Sequence, residues 1–253
     1  MRRDLIRRRN VIGAMSAVAV GFAGRSAAQA PDQALVSSLT PVTGRVRIDA
    51  LHMSLTPPAG LGYLNAQQTR FLFTAIYHNP ESDVGDVFGC VLPLPPRPGS
   101  PGSFEVVIRA ASGRIADTGP GSSLDPTAVK RGFLARIAAI NAARPSGEPR
   151  FEKADIVVPA RYDPARHVMT VGRSFQWSDE PQPSVNLDVF LLTRKGTVIL
   201  TATSPIDTLK KLEEAAQGVV DSISFDPLDD YDAGKAEPRS ALTLDALAET
   251  LGG

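Results

Sequence analysis

Three histidines, one cysteine and a few acidic clusters are the side chains of this 253-residue chain whose types suit chemistry. His52, His78 and His167 lie far apart. No two sit at the i, i+4 spacing that sets two imidazoles on one helix face, so a zinc centre is not signalled. His78 closes a predicted helix, where the helix dipole favours a partial positive charge. Tyr162, Asp163 and His167 surround one tight turn, Arg161-Tyr162-Asp163-Pro164. They are the least implausible catalytic grouping, although Asp-Pro forms a turn on its own account.

The other motifs carry less. Cys90 sits in the apolar run Val87-Phe88-Gly89-Cys90-Val91-Leu92 and reads as a buried, inert thiol. A single cysteine allows no internal disulfide. Gly119-Pro120-Gly121-Ser122-Ser123 is interrupted by proline and has no following lysine, so it is not a phosphate loop. No Gly-x-Ser-x-Gly elbow is present. The acidic run Asp226, Asp229, Asp230, Asp232 lacks the spacing of a calcium loop and reads as a solvated tail. No catalytic, cofactor-binding or metal-ligating set is therefore assigned, and no cofactor is expected.

The first thirty residues are the most informative. Arg7-Arg8-Arg9-Asn10-Val11-Ile12 leads into a weakly apolar run of 14 residues, Val11 to Gly24, and then Ser26-Ala27-Ala28-Gln29-Ala30. A basic start, an apolar middle and a small-residue end make a secretory signal peptide, placed at residues 1–28. The pair Arg8-Arg9, the glycine-diluted apolar run and Arg25 before the cleavage zone fit the twin-arginine type. Cleavage after Ala28 or after Ala30 fits the residues; retention as an anchor is the remaining alternative. The whole chain has 27 basic and 27 acidic residues, but residues 1–28 hold six arginines and one aspartate. The rest has 21 basic and 26 acidic residues, a net of −5. That balance argues against nucleic acid or an anionic lipid surface as partner.

Behind a flexible tether at 29–41, the pattern predicts one domain over 42–236 and a C-terminal tail over 237–253. Strands are expected at Val46–Ala50 (with His52 in an early strand), Asp86–Leu92, Ser103–Ala111, Ala154–Pro159, His167–Trp177, Val185–Thr193, Thr197–Thr203 and Ser222–Phe225. Helices are expected over Asn65–His78, Asp125–Ala143 and Asp207–Val220, with a weak one at Thr243–Leu251. Asn65 with Gln68, and Asp125 with Pro126, supply the start signals. The Pro-rich link between Pro93 and Gly102 reads as a stiff hairpin connection. Val185, Leu187, Val189 and Leu191 form one apolar face, yet Phe190 and Leu192 occupy the other. Both faces must then be covered. The fold class is α+β: a largely antiparallel sheet with three main helices packed on it.

Several strings carry a family likeness. They are Leu64-Asn65-Ala66-Gln67-Gln68-Thr69-Arg70, Gly89-Cys90-Val91-Leu92-Pro93, Arg161 through His167, Asn186 through Leu200, and Ser224-Phe225-Asp226-Pro227 with Tyr231-Asp232 and Lys235. In these, over roughly residues 42–236, the chain resembles the DUF2167 family. The resemblance implies a bacterial, membrane-anchored protein with no defined biochemical activity. The family continues into apolar spans after the Lys235 region, whereas residues 241–251 here are amphipathic, with Asp245 and Glu249. The expectation is a soluble variant, or one anchored by an uncleaved N-terminal segment.

The resulting expectation is an exported periplasmic or envelope-associated module. It would bind a protein or ligand of the cell envelope without catalysing a reaction. The alternative is an enzyme working at the Tyr162-Asp163-His167 turn.

Overall fold

The computed structural model describes residues 33–79, 81–100, 102–112, 115–116, 125–194, 196–227 and 242–243. In chain order the first elements are α1 (Gln33–Ser37), β1 (Val46–Ile48), β2 (Met53–Leu55), β3 (Leu61–Asn65), α2 (Ala66–Phe71), α3 (Glu81–Val84), β4 (Gly89–Pro93) and β5 (Glu105–Ser112). There follow β6 (Ile115–Ala116), α4 (Pro126–Ala143), β7 (Phe151–Asp163), β8 (Val168–Trp177), β9 (Ser184–Leu192) and β10 (Gly196–Pro205). The last are α5 (Leu209–Asp221), β11 (Ile223–Phe225) and β12 (Leu242–Thr243). Seven strands form one antiparallel sheet in the order β3-β4-β5-β10-β9-β8-β7. A second sheet, β1-β2-β11, is also antiparallel. The α+β class with a largely antiparallel sheet and three main helices, α2, α4 and α5, is what the structure shows.

The period-2 pattern decides which helix covers which face. Val106, Ile108, Val185, Leu187, Val189, Val198 and Leu200 point to one side and pack with Leu212, Ala216 and Val219 of α5 and with Met53 and Leu55 of the small sheet. The opposite face has two apolar ends. Over one end, Leu72 and Phe73 of the first helical segment pack on Leu64, Cys90 and Val107. Over the other, Val129 of α4 meets Met169, Val171 and Phe190, and Phe133 and Ile137 meet Phe175 and Trp177. The two-faced apolar pattern of β9 is thus satisfied on both sides, with all but its first residue buried.

The helix signals act locally. Asp125 Oδ1 accepts from the Thr127 N–H at 2.9 Å, and Pro126 follows as the first helical residue of α4. Asn65 Oδ1 accepts from the Gln68 N–H at 2.9 Å to start α2. The reciprocal half of that capping box does not form, because the Gln68 amide donates to Thr40 instead. The expected continuous helix to His78 is also different. After Phe71 the backbone widens into one π turn, Leu72–Ile76, with the Tyr77 N–H donating to Leu72 O at 3.0 Å.

Other expectations shift. Met53–Leu55 and Leu61–Asn65 are strands that the pattern did not announce. Residues 33–41, expected within a flexible tether, include α1 and bury Val36 and Leu39 against the first helical segment. The signal peptide lies outside the described residues. So does the expected last helix apart from Thr243, which with Leu242 pairs in parallel with β6.

Gly89 marks a close approach. A β-carbon there would stand 2.2 Å from Cε2 of the buried Tyr63 ring, whose hydroxyl donates to Phe88 O at 2.7 Å. Gly89→Ala is expected to cost about 1–3 kcal/mol in urea unfolding. Gly44→Ala, with nothing within 4 Å of the added carbon, should stay within about 0.5 kcal/mol of wild type.

Candidate functional site

Between the two apolar ends of the α2/α4 face runs a row of polar side chains. The register sets Glu105 of β5 opposite Thr203 of β10, Thr203 opposite Asn186 of β9, and Asn186 opposite Arg173 of β8. Four strands at about 4.8 Å spacing make this row about 14 Å long. Asn186 and Arg173 are buried. The Thr203 hydroxyl donates to Asn186 Oδ1 at 2.9 Å. One step along the strands, Asp188 accepts from Arg173 Nε at 2.8 Å on one oxygen and from Thr201 Oγ1 at 2.9 Å on the other. Arg173 Nη2 donates to the same Asp188 oxygen. Burial pushes the neighbouring Arg109 down to about 9, against the pull of Asp188 and then Cys90. Burial and the Arg173 charge also lower Arg136 of α4.

The row opens into a cleft of about 90 Å³ at its Glu105 end. Phe73, Tyr77 and Asn79 line it from the π turn and its exit; Gly99, Ser100 and Ser103 from the β4–β5 link; and Ser184, Thr203, Ser204 and Pro205 from the ends of β9 and β10. Glu105 is held by the Tyr77 hydroxyl, which donates to its Oε1. Burial pushes the Glu105 carboxyl up to about 7, with the Tyr77 hydrogen bond pulling the other way. Burial and then the Glu105 charge raise the Tyr77 phenol well above its ordinary range. The same two causes, in the same order, raise the Cys90 thiol. A cleft of this size takes several waters or a group of a few heavy atoms. Chemically it offers a carboxyl raised toward neutrality, lined by hydroxyls, the Asn79 amide and two aromatic residues.

The residues singled out from sequence lie elsewhere. His167 Nδ1 is 3.1 Å from the Tyr162 hydroxyl, so that pair does form. The Asp163 carboxylate accepts from the Ala165 N–H at 2.9 Å and stays in the turn. The turn is at the Leu191 end of β9, about 23 Å from the Ser184 end. His52 is not in a strand: it is a left-handed residue after the 3-10 turn Asp49–Leu51. All three histidines have positive φ, at 50°, 56° and 53°, a conformation in which histidine is enriched. Asp226 forks onto the Arg47 guanidinium, with both contacts at 2.6 Å; Asp229 to Asp232 and Gly119 to Ser123 lie outside the described residues. Among the described residues no three His, Cys, Asp or Glu side chains are grouped to hold a metal ion, and no helix is long and apolar enough to cross a membrane. Cys90 is fully buried.

Sequence reasoning passed over Glu105, Tyr77, Asp188 and Arg173. The signal was there in part: an acid or arginine set inside strands whose neighbours are apolar on both faces.

Two outcomes follow. Asp188→Ala leaves the Arg173 charge buried and is expected to cost about 3–5 kcal/mol in denaturant unfolding; Arg173→Met paired with Asp188→Leu should cost far less. For Glu105, the folded carboxyl ionises at about 7 and the unfolded one at the ordinary 4.5. Between these values the native state keeps a proton the unfolded chain has released. Stability should therefore fall as pH rises through that window, by up to about 3 kcal/mol, and level off above it. Glu105→Gln should remove this dependence in urea unfolding across the same pH range.

No curated protein matches the chain. Among solved structures, cyanobacterial PsbP (CyanoP) from Synechocystis is 14% identical, over 72% of this chain and 91% of that one, with a TM-score of 0.39. The Ran-binding protein Mog1p from Saccharomyces cerevisiae is 8% identical, over 74% of this chain and 96% of that one, with a TM-score of 0.34. The family model "Protein of unknown function (DUF2167)" matches residues 40–242. That span takes in every strand of the seven-stranded sheet and both sides of the Glu105 cleft, and the chain belongs to the DUF2167 family.

Proposed function

We propose that this protein is exported and works in the cell envelope as a binding module, with the Glu105 cleft as its recognition site. The observation that carries the reading is the cleft itself. Residues from four separate segments line one cleft, and in it Tyr77 already holds the Glu105 carboxyl in place. Such preorganised polar groups favour binding because little side-chain order remains to be imposed. Residues 1–28 supply the export signal, which is cut after Ala28 or Ala30 or kept as an anchor, and 42–236 act as one folded unit. The net of −5 beyond the signal suits a soluble or protein partner over nucleic acid. Membrane attachment belongs to this reading only if the N-terminal segment is retained.

A second reading, catalysis, has one observation behind it. A carboxyl titrating at about 7 is suited to general acid–base work, and Glu105 is a better candidate for that than the Tyr162-Asp163-His167 turn.

Export is tested by fractionating cells that make the tagged full chain. The wild type is expected in the periplasm, and the Arg8→Lys, Arg9→Lys double variant in the cytoplasm. A wild type that stays cytoplasmic would overturn export; equal export of both would overturn the twin-arginine route. Recognition is read separately. Deproteinised envelope extract is passed over immobilised wild type and Glu105→Gln. At least one solute should be retained by the wild type alone, and equal retention would remove the cleft from the account.

A further inference from the structure

Resting on the binding reading above, we propose that the Glu105 cleft takes the primary ammonium group of a small organic cation. The argument begins with the direction of the hydrogen bonds. The Tyr77 hydroxyl spends its proton on Glu105, the Thr203 hydroxyl on Asn186 Oδ1, and the Ser204 hydroxyl on Pro205 O at 3.1 Å. The Ser103 N–H is taken by Ser100 O at 2.9 Å. These groups leave oxygen lone pairs for a ligand, beside the Asn79 amide and the Ser100, Ser103 and Ser184 hydroxyls, which can donate as well as accept. An ammonium has three donors and no acceptor, so it can use these lone pairs together with the Glu105 carboxyl. A carboxylate or phosphate would meet the ionised Glu105 carboxyl as a like charge.

The charge agrees. Glu105 has Tyr77 as its hydrogen-bond partner, and no lysine, arginine or histidine among the described residues makes an ion pair with it. Arg173, at the far end of the polar row, is committed to Asp188. A bound cation would supply the missing charge. The Phe73 and Tyr77 rings, with centroids 5.6 Å apart, line the same cleft, and aromatic rings attract cations. The volume of about 90 Å³ admits an ammonium with a short stem and leaves the rest of the molecule outside.

The titratable groups facing Glu105 among the described residues are Tyr77 from the π turn and Cys90 from β4; its neighbours on β10 and β9, Thr203 and Asn186, are uncharged. Burial first, then the Glu105 charge, push the tyrosine and the thiol upward, away from neutrality. Glu105 alone of these should therefore set the pH dependence. Binding needs its ionised form, so affinity should fall roughly tenfold per pH unit below about 7 and level off above it.

The test titrates the full chain by calorimetry with ethanolamine and putrescine, whose ammonium groups stay charged over the range used. Ethylene glycol and 1,4-butanediol are the uncharged counterparts. The amines are expected to bind at least about tenfold tighter than the diols, with the pH profile above. Glu105→Gln, which keeps an acceptor for Tyr77, should lose about tenfold or more in amine affinity and lose the pH slope. Phe73→Leu should weaken the amines while unfolding as a cooperative domain. Equal affinity for ethanolamine and putrescine supports a single ammonium head, and tighter putrescine supports a diamine. Diols binding as well as amines, or Glu105→Gln binding amines as wild type does, would overturn the ammonium inference. If all four probes fail while the extract test still retains a solute on the wild type alone, the inference falls and the binding reading stands.

Discussion

Arg173 and Asp188 carry opposite charges where almost no water reaches, and the middle of one sheet face is arranged around that fact. Taking two ions out of water costs several kcal/mol each, and their attraction offsets this only when the remaining polar atoms find partners. Here Arg173 contacts one Asp188 oxygen twice and Thr201 takes the other. Asn186 and Thr203 extend the polar row toward β5. The helices then divide the face between them, with the first helical segment over the apolar end at β3–β5 and α4 over the end at β7–β9. The cleft lies where the polar row runs out between them.

The two acids of this face meet different neighbours and so have different roles. Asp188 has an arginine and a threonine and acts as a structural anchor. Glu105 has a phenol and no cation, and burial raises its carboxyl to about 7. The π turn contributes directly. It places Phe73 and Tyr77 at the cleft, and the exit from that turn brings Asn79 there as well. One-turn π segments are frequent at functional positions, and this one supplies an aromatic wall and the group that fixes Glu105.

Much of the fold was legible because its signals are local. Asp125-Pro126 starts α4, and the apolar residues on both faces of β9 required cover on both sides. The π turn was not legible, since Leu72, Phe73 and Ile76 keep the spacing of an ordinary helix face. Nor was the polar row. It exists only because β5 pairs with β10 and β10 with β9, which joins Glu105 to Asn186 through Thr203. Strand order of that kind depends on the whole core. The histidines drew notice by chemical type, while their left-handed backbone shows them serving turns. Glu105 escaped notice because an acid in an alternating strand looks solvent-facing until Val107 and Arg109, on its own face, prove buried.

The most direct test of the account is a carbon-13 NMR titration of the Glu105 side-chain carboxyl, assigned by comparison with Glu105→Gln. A midpoint at about 7, moving higher in Tyr77→Phe as the hydrogen bond to the ionised form is lost, is the result it predicts. A midpoint in the ordinary range of about 4.5, unmoved by Tyr77→Phe, would show a solvated carboxylate and contradict it.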